Sequence, residues 1–107
     1  MDALLAALRA AAEPTRLRLL ALAARGAFCV TELTEILGQS QPRLSRHLKL
    51  LCESGLLARE REGANAWFAL PTGADVDLAR ELVGHLPADD AILESDRRQA
   101  ARVLLAR

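Results

Sequence analysis

Tyrosine is absent, and aromatic residues make up 3% of the 107 residues: Phe28, Trp67 and Phe68. A core must therefore come from Leu, Ala and Val, a palette that suits helices. Net charge is lacking too, since 14 basic residues balance 14 acidic ones. The chain as a whole has no field that seeks a polyanion. Cys29 and Cys52 are the only cysteines. Two thiols, without a secretory signal after an opening Met1-Asp2, point to a reducing compartment, the cytoplasm. No uncharged apolar run of about 18 residues occurs, so no membrane span is expected. There is no glycine-rich phosphate loop, no Ser/His/Asp order, and the few histidines and cysteines stand at unrelated spacings. An enzyme is not expected.

What is present is unevenly placed. Hydrophobic residues reach 51%, enough for a core in one domain spanning 1–107. Residues 39–51 hold Arg43, Arg46 and Lys49 and no acid. Residues 75–96 hold Asp75, Asp77, Glu81, Asp89, Asp90, Glu94 and Asp96 against the single base Arg80. Opposite fields at two ends orient a chain on a polyanion even when the sum is zero.

Apolar residues at 4, 5, 8 and 12 predict a helix over 2–12. Glu13-Pro14 starts a second, with Leu17, Leu20, Ala21 and Ala24 as its stripe and Gly26 as its end. A short third helix has Thr31 as cap, Leu33, Ile36 and Leu37 inward, and Gly38 as stop. Ser40 or Gln41 caps a fourth, with Pro42 in its first turn. At 100° per residue Leu44, Leu48 and Leu51 share one arc, Arg46 and Lys49 point the opposite way, and Arg43, His47 and Ser45 flank them. Leu50 falls near the polar face and is expected to pack late in the helix. Leu57–Glu62 and Ala66–Leu70 read as strands around the turn residues Gly63-Ala64-Asn65. Helices follow over 75–86, with Ala79, Leu82, Val83 and Leu86 inward, and over 89–106, with Ala100, Val103 and Leu104 in register.

The fold class is mainly α with a small β-hairpin, a winged helix-turn-helix. The helix-turn-helix covers about 31–55 and the wing about 57–70. That order places one helix in the major groove and a loop beside it. Leu8-Arg9-Ala10 with Ala12-Glu13-Pro14-Thr15-Arg16-Leu17-Arg18-Leu19-Leu20 resembles the "L-A-x-P-T-R-L-R-I-L" opening of the ArsR/SmtB-type (arsenic-repressor) bacterial regulators. Thr31-Glu32-Leu33 resembles their "V-x-E-L", and Ser40 through Leu51 their "S-Q-S-x-v-S-R-H-L-K-x-L". Glu53-Ser54-Gly55-Leu56-Leu57 is similar to "x-A-G-L-V". Arg61-Glu62-Gly63 with Trp67-Phe68-Ala69-Leu70 resembles their wing. Pro87 through Arg98 is similar to the segment that joins this domain to a methyltransferase in fused relatives, which leaves open a stand-alone regulator or part of a longer parent.

The resemblance implies a homodimeric repressor, paired through helices at about 2–12 and 75–106 and released from an inverted-repeat operator in double-stranded DNA by an effector. The apolar stripes at 4–12 and 100–104 fit that pairing independently. Candidate DNA contacts are Ser40, Gln41, Arg43, Ser45, Arg46, His47 and Lys49 on the fourth helix, with Arg61 and Asn65 on the wing. The cations would meet phosphates, or guanine through an arginine; Gln41 would read adenine; Ser45 would meet a phosphate or base; His47 would donate to a phosphate. Without the resemblance, such cations are more often a solvated helix face. A winged helix that binds only protein is the other alternative, and it would more often place apolar residues where Arg43, Arg46 and Lys49 stand.

For sensing, Cys29-Val30-Thr31-Glu32-Leu33 lies where metal-sensing relatives carry "C-V-C-D-L", and the second thiolate is missing. A thiolate site normally gathers several soft ligands. Cys29 and Cys52 are therefore read as buried structural cysteines. Asp75, Asp77, His85 and Asp89 depart from the family's Asp-x-His site and are read as a solvated helix face, with His85 meeting a helix C-terminus. No metal site is assigned. A small organic effector is at least as well supported, with S-adenosylmethionine or S-adenosylhomocysteine suggested by the fused relatives alone.

Overall fold

The computed structural model describes residues 1–107 as six helices around a three-stranded antiparallel sheet. Helix α1 (Asp2–Ala11) buries Ala7 and Ala11, whose small side chains admit close approach. Its larger residues Leu4, Leu5 and Leu8 stay exposed. The expected stripe is thus real but faces away from the chain's own core.

Helix α2 (Pro14–Ala23) begins where Pro14 predicts. Glu13 sits extended before it and accepts from the amides of Thr15 (3.1 Å) and Arg16 (2.9 Å). The buried set is Thr15, Leu19, Leu20, Leu22 and Ala23, a broader surface than the predicted stripe of Leu17, Leu20, Ala21 and Ala24. The reason is position: α2 packs against α1, α4, α5 and α6, and a helix covered on most sides has no single apolar arc.

Strand β1 (Phe28–Cys29) was not foreseen. Two residues carry no alternation to detect. Helix α3 (Val30–Leu37) is capped by Cys29 rather than Thr31, which lies inside the helix. The Glu32 carboxylate accepts from the Cys29 amide at 3.2 Å, an acid three residues in that secures the start one residue ahead of Thr31. Gly38 ends α3 in the left-handed region at φ 68°, which suits a residue without Cβ.

Helix α4 (Gln41–Glu53) has Ser40 as its cap, with Oγ accepting from the Arg43 amide at 3.4 Å. Leu44, Leu48 and Leu51 are buried as predicted. Leu50 is not packed late in the helix; it stays 39% exposed because it lies on the polar arc.

Strands β2 (Ala58–Glu62) and β3 (Asn65–Ala69) form the hairpin, and β3 is central in the order β1-β3-β2. Gly63 at φ 62° leads the two-residue turn, a role glycine fills without steric cost. After a single 3₁₀ turn come α5 (Val76–Gly84), which buries Ala79, and α6 (Ala91–Leu105), which buries Leu93, Asp96, Ala100 and Val103. Leu104, expected in register with that face, is exposed. Asp96 belongs to no solvated acidic field: it is buried against Arg18, with Nε at 2.8 Å and Nη2 at 2.9 Å. That two-pronged pair fastens α6 to α2.

Candidate nucleic-acid interface

The leucine arc of α4 decides what the rest of the helix can do. With Leu44, Leu48 and Leu51 inside, Ser40, Gln41, Arg43, Arg46 and Lys49 are all exposed. No carboxylate lies within 4.0 Å of Arg43, Arg46 or Lys49. Ser45 is half-buried and accepts from Gln41 Nε2 at 2.7 Å. That bond holds the Gln41 amide along the helix and leaves the Ser45 hydroxyl hydrogen free to donate.

The turn before α4 is tied to α2 by Gln39, whose Nε2 donates to the buried Thr15 Oγ1 at 3.0 Å. Sequence reasoning missed this, since no local pattern pairs residues so far apart in the chain.

His47 stands apart from the outward set. Its side chain is 16% exposed and turns toward α2, with Nδ1 3.1 Å from Arg16 Nη1 and 3.6 Å from Glu13 Oε2. A guanidinium only donates, so Nδ1 accepts and the ring is neutral with its proton on Nε2. The approach to Glu13 is then proximity rather than an ion pair. Burial, first of all, pushes this imidazole below the ordinary histidine value, and Arg16, Arg43 and Arg46 add to that against Glu13. Arg16 Nε also donates to the Ala10 carbonyl at the end of α1. Burial works against the Glu13 carboxylate, yet the Arg16 and Thr15 amides, with the Arg16 charge, hold its pKa below the usual value. One cluster thus joins the end of α1, the start of α2 and the middle of α4.

On the hairpin, Arg61 pairs with Ala66 and Asn65 with Glu62. Residues directly opposite share a face, so Arg61 lies on the Phe68 side and Asn65 on the Trp67 side. Arg59, opposite Phe68, shares the Arg61 face and is exposed. Sequence reasoning left Arg59 out, although the alternation Arg59-Glu60-Arg61-Glu62 places both cations on one side of a strand.

Cys29 and Cys52 are free thiols and half-buried, not core residues. Burial pushes the Cys52 thiol pKa up. Within the chain no three His, Cys, Asp or Glu side chains converge in a metal-ligating group. His85 closes α5, with Nε2 3.6 Å from Glu81 Oε1 on the exposed face.

A short helix leading into a polar-faced, leucine-backed helix, followed by a hairpin with an exposed tip, defines a winged helix-turn-helix DNA-binding regulator. The profile described as "Bacterial regulatory protein, arsR family" matches residues 13–59. An "Arsenic resistance transcriptional regulator ArsR1" from Pseudomonas putida is 37% identical over 93 residues, covering 86% of this chain and 73% of that protein. A "Transcriptional repressor SmtB homolog" from Synechocystis is 33% identical, covering 76% of this chain and 61% of its own length. Among solved structures, HlyU from Vibrio cholerae superposes with a TM-score of 0.67 at 27% identity, covering 76% of this chain and 88% of that one. The transcriptional repressor BigR from Xylella fastidiosa gives 0.64 at 31% identity, covering 72% and 76%. The chain belongs to the ArsR family of bacterial transcriptional regulators, a family of regulators rather than enzymes. No helix is long and apolar enough to cross a membrane.

Proposed function

We propose that this protein is a homodimeric repressor that grips an inverted-repeat operator and is released by a small effector. The observation that carries the reading is the outward face of α4, five exposed polar or cationic side chains on a leucine-anchored rod with no carboxylate partner. Ser40 and Gln41 lie at the helix start, where base edges are met. Arg43, Arg46 and Lys49 supply phosphate attraction, or bidentate guanine contact through an arginine. Ser45 adds a hydroxyl donor. Arg61 and Asn65 reach the neighbouring groove or backbone from the two faces of the wing. His47 serves this surface from beneath, holding α4 against α2. A cytoplasmic site of action goes with this reading, supported by the two free thiols.

Dimerisation is supported by the apolar residues that the fold leaves uncovered: Leu4, Leu5 and Leu8 on α1, and Leu104 and Leu105 on α6. Exposed apolar surface of this kind marks a partner face. A two-fold pair reads half-sites about one helical turn apart, or a multiple. As effector, a small organic molecule draws support from a cavity of about 300 Å³ between α2, α5 and α6, floored by Leu22, Val83, Leu86 and Leu93 with Arg25 and Arg97 beside them. S-adenosylmethionine, S-adenosylhomocysteine and a metal or metalloid rest on family analogy.

The test is a mobility-shift titration of the intact protein against its own upstream region and a generic duplex. Arg46→Ala should weaken operator binding by roughly 1–3 kcal/mol with the helical signal unchanged. Absence of any shift at low salt by the unaltered chain would end the reading.

A further inference from the structure

Arg107 gathers contacts that no duplex-facing role accounts for. Its Nε donates to Glu32 Oε2 at 2.9 Å and its Nη2 to Glu32 Oε1 at 2.8 Å, fork against carboxylate. Nη2 also donates to the Ala27 carbonyl at 2.6 Å. The guanidinium carbon lies 5.0 Å from the Trp67 ring centre and 5.4 Å from that of Phe28. Glu32 in turn accepts from the Cys29 amide at the start of α3. One cation therefore touches the segment before β1, the first turn of α3 and the central wing strand, while its backbone follows α6. Planarity is required for this: a guanidinium can stack on rings and hold both carboxylate oxygens, and an ammonium cannot.

The wing has little else to hold it. Every residue from Arg59 to Asn65 is exposed. Its attachment lies at its base: buried Leu57 and Phe68, the partly buried Ala66 and Leu70, the short β1–β3 ladder pairing Phe28 with Phe68 and Cys29 with Trp67, and this cation. A hairpin with so few buried contacts opens easily.

We propose that Arg107 is a positioning residue for the wing: its guanidinium clasps β3 to α3, so that the end of the last helix sets the posture of the hairpin beside α4. The inference deepens the DNA-binding reading above, and its consequence for affinity rests on that reading. It also ties the wing to α6, one of the two proposed pairing helices. A change in how α6 packs would reach the wing tip through this one side chain.

Trp67 is the only tryptophan and tyrosine is absent, so intrinsic emission reports this ring alone. In the full chain, Arg107→Ala should shift Trp67 emission to the red. It should also speed amide exchange over residues 58–69 by about tenfold, with α2 and α4 unchanged. Arg107→Lys should restore little, since it lacks the fork. Unchanged exchange in the hairpin, or equal acceleration in all helices, would overturn the clasp. On duplex, Arg107→Ala should weaken binding about 3- to 10-fold. The same substitution should have no further effect in a chain already carrying Arg59→Ala, Arg61→Ala and Asn65→Ala, because it acts through the wing. Losses that multiply would overturn it as well. If the unaltered chain binds no duplex at low salt, the repressor reading fails, and emission and exchange still decide the clasp.

Discussion

Protonating His47 costs this fold more than it costs the unfolded chain. The ring is neutral and accepts from Arg16, so its pKa lies below the ordinary 6.5. A group depressed in the folded state gives its full stability above the unfolded value, and that share is lost as pH falls below it toward the folded value. Stability should therefore begin to drop as pH is lowered from about 6.5. His47→Gln should flatten that part of the curve, read as urea midpoint against pH. Glu13 and Glu32 titrate lower still, with the same sign. The Arg107 hydrogen bond holds Glu32 below the usual carboxylate value, and both acids add to the loss as pH falls below about 4.5. Arg18 and Asp96 form a two-pronged pair inside the fold. Arg18→Ala leaves a buried carboxylate without its partner and should cost about 3 kcal/mol. A thermal melt that hardly moves would show that water reaches Asp96.

At the scale of the element, α4 is held by its cap and its leucines. Ser40→Ala removes the side-chain acceptor of the Arg43 amide; at 3.4 Å that bond is long, so a loss of roughly 0.5 kcal/mol is expected. Leu48→Ala, at a site 1% exposed, should cost about 3 kcal/mol. Comparing the two by denaturant midpoint separates capping from packing. Helices and hairpin were legible in the sequence because Pro14, Gly38, Ser40, Pro42 and Gly63 carry backbone rules in their own chemistry. The cap of α3 was misplaced at Thr31 because the acid that secures it, Glu32, reaches back to Cys29. Strand β1 exists only because β3 arrives beside it, and α2 lost its predicted stripe to neighbours on several sides.

For the whole molecule the informative surface is the one left bare. Leu4→Glu with Leu8→Glu should leave the monomer fold intact, since both side chains are exposed. It should abolish the dimer in sedimentation and weaken operator binding by more than tenfold, because a lone half-site grip loses the linked second contact. A variant that still sediments as a dimer would move the pairing surface elsewhere.

By itself the sequence determined the order of the six helices and the hairpin, the leucine-backed helix with its outward cations, and the family. Those follow from residue chemistry at short range: period, caps, turn glycines and charge spacing. Only the tertiary structure decided that His47 turns inward to Arg16, that Asp96 is a buried partner of Arg18, and that Arg107 rests on Trp67. Each of these is a contact between residues distant in the chain, and no local pattern encodes which charge meets which partner once the helices pack.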